Sequence, residues 1–162
     1  MPADALLHRY SGGGAYADCY FTDMARTVSH AEYVEAFYTT WVFKLERLIL
    51  KWAVSRPSTD DQARQLAEGR RDAFAAWTVE ARAADQLLLG DFSGRTKSWL
   101  MVAAASGGTA GTRLYFGSAV VPARESSRGR GGLGLVFKAL LGFHKLYSRI
   151  LLRSAAARLS RP

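Results

Sequence analysis

The sequence predicts an α+β fold in which a curved antiparallel sheet grips a long C-terminal helix, with two or three helices inserted after the first strand. Three observations support this class. Residues 131–159 carry one uninterrupted helical pattern, and a second helical region follows a single early strand. Between the two, residues 74–121 alternate with a period of two and are divided by short turns, which is typical of an antiparallel meander.

The chain begins with a segment that carries little structural signal. Residues 11–14 read SGGG, so residues 1–14 are predicted to be a flexible lead-in and residues 15–162 a single helix-grip domain. Residues 15–24 then alternate as a first strand, with Ala17, Cys19 and Phe21 on one face. Tyr16, Asp18, Tyr20 and Thr22 lie on the other face.

Two helical segments follow this strand. Ser29 and Glu32 form a capping-box pattern that predicts a helix from residue 30 to about residue 52. The β-branched pair Thr39 and Thr40 predicts a bend inside it. A second helix is predicted from Ser58, as its N-cap, to about residue 68, where Gly69 can take the left-handed conformation.

Four runs with strand character complete the sheet. The first places Ala75, Trp77, Val79 and Ala81 on one face, and the second covers residues 86–91. Trp99 lies in the third run, residues 96–105, and Phe116 in the fourth, residues 112–121. The charged residues Glu80, Arg82, Asp85, Asp91, Arg95 and Lys97 are interpreted as cross-strand ion pairs on a solvent face. Alternatively, Arg82 or Arg113 holds a ligand carboxylate.

The final helix presents an apolar stripe at steps of three and four residues. Its members are Val136, Leu140, His144, Tyr147 and Leu151. Residues 124–162 also hold nine Lys+Arg and one Glu, which accounts for the whole net charge of +8. Such a basic end predicts transient contact with an anionic membrane surface. A plain solvated surface is the other reading, and nucleic acid ranks last because the aromatic residues do not interleave with the basic ones.

Several classes of protein are disfavoured by the motif content. Cys19 is the single cysteine, so an internal disulfide is excluded and a reducing compartment is indicated. The N-terminus lacks a signal-peptide pattern, so a cytoplasmic location is predicted. No nucleotide-binding motif is present, and His8, His30 and His144 lack paired ligand spacing. Neither a cofactor nor a metal site is therefore predicted.

The element order, together with three local features, resembles the START-like, helix-grip (SRPBCC) superfamily, which includes polyketide cyclase-like proteins and lipid carriers. The features are a Trp-led hairpin at residues 77–91, a strand that runs into a Pro-containing loop at residues 115–122, and the pair Phe143–His144. The chain departs from that pattern in having only one strand before its helices. The resemblance implies a hydrophobic cavity between the sheet and the C-terminal helix.

Two functions are consistent with such a cavity. The first is non-catalytic binding of a hydrophobic or aromatic small molecule, either a lipid or a polyketide-like compound. The second is a cyclase- or dehydratase-type enzyme in which His144 is the general base, although a structural role for this histidine stays open. The four aromatic candidates at positions 41, 77, 99 and 147 belong either to the core or to the pocket lining. The predicted ligand-binding residues are Trp41, Trp77, Arg82, Trp99, Phe116, Leu140, His144 and Tyr147.

Overall fold

The computed structural model describes residues 1–12, 15–45, 58–105, 110–121 and 133–161, and within the last range it describes side chains from residue 146 onward. The helices are a 3-10 helix at Leu6–Tyr10, α1 at His30–Tyr38, α2 at Asp60–Ala67 and α3 at Leu133–Leu159, with a short helical stretch at 41–45. The strands are β1 at Tyr16–Met24, β2 at Ala73–Phe74, β3 at Trp77–Arg82, β4 at Gln86–Asp91, β5 at Thr96–Ala104 and β6 at Thr112–Val120.

The strands form one antiparallel sheet of six strands in the order β1-β6-β5-β4-β3-β2. Strands β2 to β6 follow one another as a meander, whereas β1 returns to pair with β6 from Tyr16↔Val120 to Met24↔Thr112. The sheet is therefore open, with β1 at one edge and β2 at the other. Helices α1 and α3 pack on the same face of this sheet, called here the inner face. The predicted α+β class with a C-terminal helix against an antiparallel sheet is confirmed.

Local capping signals place the two short helices. Ser29 accepts from the amide of Glu32, and Glu32 accepts from the amide of Ser29, so the predicted capping box is present at α1. The predicted break also occurs, because helix α1 ends at Tyr38 and helical geometry returns only at residue 41. The N-cap of α2 is Thr59 rather than Ser58, since it is Thr59 that pairs reciprocally with Gln62.

An aromatic cluster fills the main core between the inner face and the helices. Phe37 of α1 stacks on Phe116 of β6 with their ring centroids 4.8 Å apart. Tyr38 packs edge-to-face on Phe43 at 4.8 Å and on Phe74 of β2 at 5.5 Å. Each ring of this size buries a large apolar area, so the rings fix α1 and the 41–45 stretch against the sheet.

The opposite, outer face of the sheet is covered by residues 1–12, so this part of the predicted flexible lead-in is packed. Residues 13 and 14 of that lead-in lie outside the described residues. Leu7 of the 3-10 helix is fully buried in a second core with Trp99, Met101 and Ala119. Gln86 secures this segment, because its side-chain oxygen accepts from the amide of Leu6 and from the indole of Trp99, both at 2.9 Å. These contacts are long-range, and so the local sequence of the segment carries no trace of them.

A largely buried ion pair on the outer face corrects the prediction of solvent-exposed charges. Lys97 pairs with Glu80, and the Lys97 side chain is only 5% exposed. The Tyr10 hydroxyl donates to Glu80 over 2.6 Å, and its ring lies 5.0 Å from the Lys97 ammonium. Burial opposes the charged form of Lys97, but the hydrogen bond and charge of Glu80 outweigh it and raise the pKa of Lys97. The pair is thus part of the packing between the 3-10 helix and the sheet.

The prediction of one continuous strand in which Ala75, Trp77, Val79 and Ala81 share a face is also wrong. Ala75 has φ of 52°, so the chain turns there and separates the two-residue strand β2 from β3. A register shift between Val79 and Ala81 then moves Ala81 to the outer-face core, whereas Val79 stays on the inner face. The described part of the chain therefore contains six strands rather than the five that the sequence predicts.

Replacing Gly117 by Ala is expected to lower the free energy of unfolding by about 1–3 kcal/mol, because an added Cβ overpacks the outer-face core. That atom would lie 2.6 Å from Leu7 Cδ2 and 2.8 Å from Trp99 Cε3. Urea unfolding followed by circular dichroism measures the change. Gly12→Ala is the control, since its Cβ would meet no atom within 4 Å. Equal unfolding midpoints for the two variants would contradict this packing.

Candidate functional site

A cavity of about 220 Å³ lies between the inner face of the sheet and helix α3. Most of its wall is apolar and aromatic, and the rest consists of hydroxyl-bearing residues and Lys97, whose ammonium group pairs with Glu80 on the outer face. The lining residues are Phe37, Phe43, Trp77, Thr96, Lys97, Ser98, Phe116, Ser118, Tyr147, Ser148 and Leu151. The volume exceeds the roughly 150 Å³ that holds a benzene molecule in an engineered protein cavity. It falls short of the roughly 300–1,000 Å³ that is typical of sites for drug-sized ligands.

A row of polar residues crosses the sheet beneath this cavity. Strand register places Asp18 opposite Ser118, and Ser118 opposite Ser98, so the three lie side by side on β1, β6 and β5. Ser118 donates to Asp18 over 2.5 Å, and Ser98 shares a 3.2 Å hydrogen bond with the Tyr38 hydroxyl. Polar side chains on the buried face of a sheet are uncommon, and here each is hydrogen-bonded. Ser98 and Ser118 line the cavity and give it one polar side.

Asp18 is the centre of a hydrogen-bond network at the β1 end of this row. Its second carboxylate oxygen accepts from Tyr16 at 3.3 Å and from Tyr20 at 3.2 Å. Burial and the charge of Asp18 raise the pKa of Tyr16 to about 12. The same two causes raise the pKa of Tyr20, with Arg149 acting in the opposite direction. Both phenols therefore stay protonated near neutral pH and donate to the carboxylate.

Trp77 lines the cavity and also carries an unusual buried polar atom. Its indole nitrogen Nε1 is buried and has no hydrogen-bond partner among the described residues. A buried N–H group without an acceptor costs about 1–3 kcal/mol, so such groups are rare in folded proteins. An acceptor carried by a ligand in the adjoining cavity would remove this cost.

The structure brings three of the predicted ligand-binding residues together. Trp77, Phe116 and Tyr147 all line the cavity, although they come from β3, β6 and α3. Leu140 and His144 lie outside the part of the chain whose side chains are described. The catalytic alternative, which depends on His144 as general base, accordingly stays a prediction.

Three other predicted ligand-binding residues lie away from the cavity. Trp99 is fully buried in the outer-face core, because it is one residue from Ser98 and points through the sheet in the opposite direction. Arg82 follows Trp77 by five residues on β3, which is about 16 Å along the strand. Its guanidinium donates to the backbone oxygen of Arg71. Trp41 is 71% exposed, whereas the neighbouring Val42 and Phe43 are buried.

The sequence analysis missed the polar lining, above all Ser98 and Ser118. Both lie in runs of buried residues, 97–101 on β5 and 116–119 on β6. The sequence therefore did carry an indication of the polar lining, namely single serines at positions that face the inner side of the sheet. The register that sets these two serines side by side with Asp18 depends on tertiary pairing.

Other chemistries find no support in the described part of the chain. There, no group of three or more His, Cys, Asp and Glu residues is placed to hold a metal ion. Cys19 is half-buried against the outer-face core, and burial raises the pKa of its thiol, which opposes formation of a thiolate nucleophile.

Comparisons of the chain with protein-family models, with curated proteins and with solved structures give no match. Among the helices that the structure describes, none combines the length and apolar character needed to cross a bilayer. The functional interpretation therefore rests on the geometry of the cavity and of the surrounding surface.

Replacing Asp18 by Asn is expected to lower the pKa of Tyr16 from about 12 toward its ordinary value of 10.0, because a charge that disfavours the phenolate is removed. Burial, the largest cause of the shift, persists and keeps the pKa above 10.0. Titration of ¹³C-labelled tyrosine by NMR, with Tyr16→Phe for assignment, measures the change. Asp23→Asn, on the same strand but paired with Arg113, should leave the Tyr16 titration unchanged.

The same raised pKa has a consequence for stability at alkaline pH. Between about pH 10 and pH 12 the unfolded chain ionises Tyr16 and the folded protein does not, so stability is lost as the pH rises through this window. The thermal unfolding midpoint should fall less steeply in Tyr16→Phe than in the unmodified protein. Parallel alkaline unfolding curves for the two would contradict the assignment.

Proposed function

We propose that the protein binds a small molecule with one aromatic ring and a hydrogen-bond acceptor in the cavity between the inner face and α3. The single observation that carries this proposal is the cavity itself, walled by Phe37, Trp77, Phe116 and Tyr147. Aromatic walls favour a flat ring, since offset and edge-to-face ring contacts add to the gain from burying apolar surface. We assign no turnover to the site.

The size of the cavity discriminates between the two ligand types that the sequence suggests. A volume of about 220 Å³ accepts one substituted ring, whereas a long-chain lipid needs a larger enclosed space. The proposed ligand is therefore an aromatic, polyketide-like compound with a single ring rather than a lipid.

The polar groups of the cavity suggest where the substituent of the ligand lies. The Trp77 indole is a donor without an acceptor among the described residues. A carbonyl or ether oxygen on the ring would accept from it, while the hydroxyls of Ser98 and Ser118 offer further polar contact on the sheet side. A ligand lacking an acceptor would leave the Trp77 donor unsatisfied.

Cys19 is a free thiol, which fits a reducing environment, and a cytoplasmic location is part of the proposal.

Isothermal titration calorimetry with acetophenone and ethylbenzene tests the proposed hydrogen bond, because the two ligands have similar size and only the first carries an acceptor. Acetophenone is expected to bind more tightly to the unmodified protein. Trp77→Phe should weaken acetophenone by up to about tenfold, the worth of one hydrogen bond, and change ethylbenzene much less. An equal loss for both ligands would show that the indole acts only through packing.

A second pair of variants tests whether the cavity itself is the site. Phe116→Ala enlarges the cavity and should shift the preference from acetophenone toward a two-ring ketone, 2-acetylnaphthalene. Leu114→Ala is the matched control, because Leu114 is fully buried on the same face of β6 but is outside the cavity lining. Both truncations cost about 2–5 kcal/mol of stability, so folding is checked first by circular dichroism. Failure of the unmodified protein to bind any of these ketones saturably would overturn the proposal.

A further inference from the structure

The solvent side of helix α3 combines exposed apolar and basic side chains. Leu146 is 58% exposed and Ile150 is 38% exposed, and both lie opposite the buried stripe of Leu151, Ala155 and Leu159. Arg149 and Arg153 are exposed one helical turn apart beside them. After Glu125 the sequence contains no acidic residue, so nothing on this helix neutralises the two guanidinium groups.

A groove of about 390 Å³ separates these arginines from the edge of the sheet. Its walls are Arg149, Leu152 and Arg153 on α3 and residues 19–22 on β1. Four consecutive strand residues line it, so the open edge of β1, rather than one face of its side chains, forms the second wall. In this groove two arginine side chains therefore face the edge of β1, whose outer backbone groups pair with no other strand among the described residues.

Arg149 and Arg153 form no ion pair with a carboxylate of the described residues, whereas several arginines elsewhere on the fold do. Arg113, for example, binds Asp23 through two hydrogen bonds of 2.7 and 2.8 Å. The Arg149 guanidinium instead lies 5.3 Å from the ring centroid of Tyr20. The carboxylate nearest to that tyrosine, Asp18, already accepts from three hydroxyl groups.

We propose that this surface docks on an anionic bilayer, with a lipid phosphate in the groove between Arg149 and Arg153 and with Leu146 and Ile150 entering the headgroup region. The guanidinium fork suits a phosphate oxygen pair, and a helix with exposed apolar and basic residues is the usual form of an interfacial anchor. The exposed apolar pair favours a bilayer over a soluble anion or a nucleic acid, neither of which would cover it. This proposal is independent of any ligand in the cavity.

The two kinds of side chain contribute differently to docking. Each basic residue close to an anionic surface strengthens binding by about a factor of five, so loss of both arginines should weaken it about 30-fold. That electrostatic part is screened by salt over roughly 10 Å at 0.1 M ionic strength. The apolar part is insensitive to salt, because it depends on the area removed from water.

Co-sedimentation with phosphatidylcholine vesicles containing 0, 20 or 40% phosphatidylserine tests the proposal. Binding is expected to rise with phosphatidylserine and to fall on raising NaCl from 50 to 300 mM. Arg149→Gln/Arg153→Gln should lose about 30-fold in affinity. The control with equal charge loss, Arg64→Gln/Arg70→Gln, removes arginines that are ion-paired on and beside α2 and should lose less than threefold. Leu146→Ser/Ile150→Ser should weaken binding while leaving its salt dependence in place.

Three results would overturn the proposal. The first is the absence of vesicle binding together with arginine-dependent binding of glycerol phosphate, which would show a site for a soluble anion. The second is equal loss of vesicle binding in both arginine pairs, which would show a non-specific effect of net charge. In the third, a duplex oligonucleotide competes with the vesicles and binds as tightly as they do, and Leu146→Ser/Ile150→Ser leaves its affinity unchanged. This result would show a general polyanion surface.

Discussion

The pairing of β1 with β6 is the constraint on which the rest of the structure depends. Strands β2 to β5 lie between β1 and β6 in the sequence, yet β1 and β6 pair along nine consecutive residue pairs. The pairing sets Asp18 against Ser118, and it also makes β1 the edge strand next to α3. Because a shift of one residue would turn every β1 side chain to the opposite face, both the polar row and the groove require this one register.

The two faces of the sheet are used differently. The outer face is closed by the N-terminal 3-10 helix, with Leu7 over Gly117 and the Lys97–Glu80 pair beneath Tyr10. The inner face is covered by helices α1 and α3, and the contact is made largely through aromatic rings. Space is left between the helices and the sheet where these rings do not interlock. The outer face therefore carries only a second core, whereas the inner face carries both the main core and the cavity.

Helix α3 contributes to both proposed sites from different sides. Tyr147 and Leu151 face the cavity, whereas Arg149 and Arg153 face the groove and the solvent. Side chains two residues apart on a helix point about 200° away from each other, so one helix can serve two sites without sharing a residue. This separation is the reason that substitutions at Arg149 and Arg153 leave the lining of the cavity intact.

By itself the sequence determined the α+β class, the antiparallel meander, the capping box at Ser29, the break after α1 and the basic character of α3, since periodicity, capping and composition are local properties. It also indicated Trp77, Phe116 and Tyr147 as residues of one region. Only the tertiary structure decided that residues 1–12 close the outer face, that Trp99 belongs to that second core, and that Asp18, Ser118 and Ser98 lie in one row. The physical reason is that burial and register arise from contacts between residues far apart in the chain, and no local pattern records which partner a side chain will meet.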